Sequence, residues 1–167
     1  MAFTGSTADL LRVLEKAIAT GLDHGWAVEP PAARAALLAR EALESWTRAR
    51  YPGAVLEGGA LEPGSRRRLS LAIHSAPVTH RVEVWGLACG DAQEGLITRD
   101  DHVTHSWVLL VHLGPPCSRR AEAERRLSSL GLRRVDEHRG ENMALSLWMG
   151  AAAPDGCAAC REDAPGR

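Results

Sequence analysis

The sequence predicts an α+β domain: two N-terminal helices, a mostly antiparallel sheet of about four to five strands, and one further helix before the last strand or strands. Three observations carry this. Apolar residues recur at helical spacing up to Tyr51. Alternating or continuous apolar segments follow between Leu69 and Leu113. A short helical pattern closed by Gly131 then precedes a final apolar run.

Leu10, Leu11, Leu14, Ala17, Ile18 and Leu22 form one stripe, so a helix is expected from Ser6 to about Leu22, with Ser6 as its cap. Pro30 and Pro31 suit the first turn of a second helix, where backbone N–H groups have no intrahelical partner. Its stripe is Ala35, Leu38, Ala39, Ala42, Leu43, Trp46 and Ala49, and Pro52-Gly53 stops it. A short strand is expected at Ala54–Glu57. Leu69–Ile73 follows as a strand with one buried face, and Arg81–Ala88 as a strand that alternates first and then turns apolar. Trp107–Leu113 is apolar on both faces, as a doubly covered central strand should be, so Trp107, Leu109, Leu110 and Val111 should all be nearly inaccessible.

Gly114-Pro115-Pro116 breaks that strand, and Ser118 is the expected cap of a helix over Arg119–Leu130. Gly131 suits the left-handed position after it, with Leu132 folding back on Leu127. Leu132–Val135 and Met143–Met149 read as the last strands, joined by a turn near Arg139–Asn142. Residues 1–150 thus form a single domain. Residues 151–167 lack periodicity and read as a disordered C-terminal tail.

A chain of 167 residues buries enough surface to fold without disulfide staples. The formal net charge of -1 removes the electrostatic footprint of a nucleic-acid binder. No run approaches the roughly 18 apolar residues of a membrane span, and the N-terminus has no signal-peptide pattern. A cytoplasmic protein with reduced thiols, bound to neither nucleic acid nor membrane, is therefore expected. Lys16 is the sole lysine among many arginines, which fits a GC-rich coding bias.

The segment richest in potential chemistry is the connection 91–105, longer than most loops of compact domains. Asp100, Asp101, His102 and His105 within it are carboxylates and imidazoles of the kind that hold Zn²⁺ or Mn²⁺. Consecutive side chains point apart unless the backbone turns, and no glycine or proline lies between Asp100 and His105 to turn it. His102-Val103-Thr104 supplies one His-x-Thr element, whereas two-histidine phosphoesterases need two. Cys157-Ala158-Ala159-Cys160 is half of a zinc-ribbon ligand set, and Cys89 and Cys117 could complete it only if the tail folds back. Otherwise Cys89 and Cys117 read as small core residues, and His112, on the face of Val108 and Leu110, as a hydrogen-bonded core histidine.

No phosphate loop, dinucleotide fingerprint, nucleophile elbow or HExxH is present. The first expectation is a non-enzymatic protein-binding domain without a cofactor, whose partner is another protein: an adaptor, an inhibitor or immunity-type protein, or a chaperone-like one. The alternative is a metal-dependent hydrolase using the 91–105 loop.

Overall fold

The computed structural model describes residues 7–24, 30–60, 68–75, 78–89 and 106–150. The expected tail over 151–167, with Cys157 and Cys160, lies outside the described residues. So do Asp100, Asp101, His102 and His105.

The described elements are α1 (Thr7–Asp23), α2 (Pro31–Arg50), β1 (Val55–Ala60), β2 (Arg68–Ser75), β3 (Val78–Ala88), β4 (Ser106–Leu113), α3 (Ser118–Ser129), β5 (Leu132–Arg139) and β6 (Met143–Gly150). This is the expected α+β architecture. The strands form one six-stranded sheet in the order β1-β2-β3-β4-β6-β5. Every pairing is antiparallel except that of β3 with β4, which is parallel. The count exceeds the expected four to five because both short segments form full strands, β1 extending to Ala60 and β5 to Arg139. A register shift between Arg134 and Asp136 breaks the alternation of β5, so its second half carries no period-two signal.

Helices α1 and α2 pack on each other and cover one face of the sheet, α2 over β2–β4 and α1 over β5 and β6. Leu10, Leu11, Leu14 and Ile18 of α1 meet Leu71, Val82, Val84, Leu109, Val111 and Leu145 there. On α2 the buried stripe includes Thr47, whose hydroxyl donates to the Leu43 carbonyl at 2.8 Å. Ala49, expected in that stripe, is exposed. Its neighbour two positions back takes the place because a threonine can satisfy its hydroxyl within its own helix.

Gly86 sets how closely α2 seats on the sheet. A Cβ at this position would stand 2.0 Å from the Ala32 carbonyl oxygen in the first turn of α2. Only a residue without a side chain lets β3 and α2 approach this far.

On the opposite face, α3 brings Ala123 and Leu127 against Trp85, Val108, Leu110 and Trp148. The indole N–H of Trp148 donates to Ser146 Oγ at 2.9 Å, which satisfies a buried donor without opening the face to water. After α3, Gly131 takes φ 81° and donates its N–H to the Ser128 carbonyl, and Leu132 packs against the Leu127 cluster as expected.

Strand β4 is covered on both sides: Leu109, Leu110 and Val111 are buried. Trp107, expected to be inaccessible, is only partly buried; it borders an apolar gap between α1, α2 and the sheet, lined with Leu10, Leu14 and Leu43. Leu110→Ala should lower the unfolding free energy by about 2–5 kcal/mol, through lost burial plus the cavity left under α3. Denaturant unfolding checks this, and a loss below about 1 kcal/mol would show that α3 does not close that face.

Candidate metal centre

Parallel pairing aligns the carboxyl ends of β3 and β4, with Leu87 opposite His112 and Ala88 opposite Leu113. Side chains alternate along a strand, so Trp85 and Leu87 point to the α3 face, and the next position of that parity is Cys89. On β4, Val108, Leu110 and His112 share the same face. The two strands therefore deliver Cys89 and His112 to one corner of the sheet.

A third group arrives from α3. Gly114 leaves β4 at φ 86° and donates its N–H to the Asn142 carbonyl at 2.8 Å. Pro115 and Pro116 lead back, and Cys117 becomes the N-cap residue of α3 with extended backbone angles. Ser118, the expected cap, is instead the first helical residue. A cap residue lies at the end of the helix where unsatisfied N–H groups gather, so its side chain meets positive potential.

Three ligand-type atoms meet here. His112 Nε2 lies 3.5 Å from Cys89 Sγ and 3.1 Å from Cys117 Sγ. All three atoms lie within 4.8 Å of one another, and among the described residues this is the one group of His, Cys, Asp or Glu side chains gathered in this way. Cys89 Sγ also lies 3.4 Å from the Pro115 carbonyl oxygen. His112 is buried, with 1% of its surface exposed, while Cys117 is half-buried and Cys89 exposed. The site is thus anchored in the core and open to solvent at one sulfur.

Neither cysteine is the small core residue expected from the sequence. His112 is buried on the expected face, but sulfur atoms stand beside its Nε2, and its buried Nδ1 meets no hydrogen-bond partner among the described residues.

Burial holds the His112 imidazole below its ordinary range, and the Arg120 charge acts in the same direction. For Cys117, burial pushes the thiol up. The hydrogen bond with Cys89, the N–H groups of Arg120 and Arg119 and the Arg119 charge together outweigh that, so its net shift is downward. Cys89, as the other partner of that hydrogen bond, is pushed up.

Ion pairs fix α3 in position. Arg120, one turn into the helix and almost fully buried, donates to Glu124 at 2.8 Å and also pairs with Glu137 on β5. Glu137 additionally accepts from Arg139 at 2.7 Å and lies 3.3 Å from Arg134. A buried guanidinium left without its carboxylates would be costly, so this cluster ties the start of α3 to β5.

No family model, curated protein or solved structure matches the chain.

Burial pushes the Glu137 carboxyl up, but hydrogen bonds from Arg139 and Arg120 and the charges of Arg120 and Arg134 hold it below the ordinary glutamate value of 4.5. A carboxylate lowered on folding contributes stability that is present above its unfolded pKa and lost as pH falls through its folded pKa. Unfolding free energy should therefore fall as the pH drops below about 4.5, and Glu137→Gln should flatten that acid limb while lowering stability at neutral pH. Denaturant titrations across pH check both effects. An unchanged acid limb in the variant would show that Glu137 does not set it.

Proposed function

We propose that this protein binds a zinc ion through Cys89, His112 and Cys117, with a fourth coordination position open to solvent. The convergence of two sulfurs and one imidazole nitrogen within 4.8 Å carries this reading. Zinc bonds of about 2.3 Å to sulfur and about 2.0–2.1 Å to nitrogen, at tetrahedral angles, separate S from N by about 3.5 Å. The two S–N separations here, 3.5 and 3.1 Å, need only small side-chain adjustments to reach that value.

The donor types select the ion. Thiolates and imidazole suit zinc and other thiophilic ions, whereas calcium and magnesium require oxygen ligands, and the cluster contains none. Two thiolates and a neutral imidazole around a divalent cation also leave no net charge in a half-buried corner. Three protein ligands with one open position is the arrangement in which zinc can polarise a substrate or bound water. The hydrolase alternative can therefore also attach to these residues, whereas Asp100, Asp101, His102 and His105 lie outside the described residues.

The adaptor-, inhibitor- or chaperone-like role expected from the sequence draws no comparable support. Among the described residues the exposed large hydrophobics are Val13, Val55 and Val135, one each on α1, β1 and β5, and single exposed side chains are ordinary surface features.

Cobalt titration of the reduced protein tests the metal reading. Thiolate-to-cobalt charge-transfer bands and intense visible ligand-field bands should grow to one equivalent, and zinc should bleach them. Cys89→Ser should lower zinc affinity by more than about 100-fold, beyond what losing a supporting outer-shell contact costs. Because Cys89 is exposed, the metal-free variant should unfold at the parent's temperature. Unchanged affinity in Cys89→Ser, or a cobalt spectrum without thiolate bands, would refute this site.

A further inference from the structure

The ligand set contains a feature that zinc binding does not require. Its two sulfurs differ sharply in access: Cys89 is exposed at the end of β3, Cys117 half-buried at the start of α3. They come from elements distant in sequence, yet both flank the same imidazole nitrogen. No other described cysteine competes for either one.

Resting on the metal reading above, we propose that the Cys89–Cys117 pair makes this centre a redox-released metal clasp, in which a hydroperoxide joins the two sulfurs and frees the ion. Cys89, the solvent-facing sulfur, reacts first; bound to zinc it is already the thiolate. Its thiolate attacks one oxygen of the hydroperoxide, the O–O bond breaks, and with one proton taken up the products are a sulfenic acid on Cys89 and an alcohol, or water if the oxidant is hydrogen peroxide. The Cys117 thiolate then attacks the Cys89 sulfur. The S–S bond forms, the S–O bond breaks, and the oxygen leaves as water with a second proton. In total two thiolates lose two electrons, and the peroxide gains them.

Both steps fit the geometry. The sulfurs start within 4.8 Å, and a disulfide brings them to about 2.05 Å. Cys89 follows the last residue of β3, beyond the final β3–β4 partner pair, so the ladder does not hold it in place. His112 cannot follow the ion outward, because it is buried between the sheet and α3. One imidazole is all that remains after the sulfurs combine, and a single neutral nitrogen is a poor zinc site. The disulfide and the bound metal are therefore mutually exclusive, and reduction restores the ligands.

The test uses the full chain carrying Cys157→Ser and Cys160→Ser, so that only two thiols remain. The reduced protein is loaded with one equivalent of zinc and treated with hydrogen peroxide. Released zinc is read with a chromogenic chelator, and the cross-link by non-reducing peptide mapping. The expected result is loss of the bound zinc in one-to-one proportion to an intramolecular Cys89–Cys117 disulfide, with binding regained after reduction. Zinc retained through complete peroxide exposure would overturn the clasp and leave the metal site standing. The same holds for zinc lost with only higher oxides of Cys89, or with cross-links between chains. Failure of the reduced protein to bind zinc at all would overturn both.

Discussion

The parallel register of β3 with β4 is the constraint from which the candidate site follows. Were the two strands antiparallel, the end of β3 would lie beside Ser106, a full strand length from His112. Because they run together, Ala88 is paired with Leu113, and the residue after β3 emerges next to the residues that leave β4. A parallel pair is also best buried on both faces. The helices meet that need: α1 and α2 close one side, α3 the other. The apolar pattern of β4, the position of α3 and the meeting of Cys89 with His112 are thus consequences of one pairing.

A second constraint completes the corner. The chain must turn back after β4 to lay α3 on the sheet, and it does so through Gly114 at positive φ and two prolines. The first residue that can cap the helix after that turn is Cys117. The buried Arg120 cluster then holds the helix start, and with it the backbone next to Cys117, against β5. Stability and site geometry share these contacts. Weakening the Glu137 interactions should therefore loosen the start of α3, where Cys117 is the N-cap residue, as well as the fold.

Much of the fold was legible because local signals agreed with it: the α1 stripe, the Pro30-Pro31 helix start, the two-faced apolar run of β4, and Gly131 after α3. Legibility failed where the signal was non-local or self-cancelling. The bulge in β5 erased its alternation, and Thr47 hid in the α2 stripe because its polarity is satisfied internally. The site was the largest gap. The strand parity of His112 was correct, and with Trp85 and Leu87 the same parity rule points to Cys89. What no local pattern supplies is that β3 and β4 are neighbours in parallel register, or that Cys117 and not Ser118 caps α3. Without those, Cys89, His112 and Cys117 are three isolated residues, each with an ordinary structural reading. Asp100, Asp101, His102 and His105, by contrast, are close in sequence and so look like a set there, and they lie outside the described residues.

The central claim concerns which atoms surround a metal ion, and X-ray absorption at the zinc edge measures that directly. For the reduced, one-equivalent zinc protein, the account predicts a four-coordinate shell with two sulfur scatterers at about 2.3 Å, one imidazole nitrogen at about 2.0–2.1 Å and one further light atom. A shell of nitrogen and oxygen alone would contradict it, since it would place the ion away from Cys89 and Cys117.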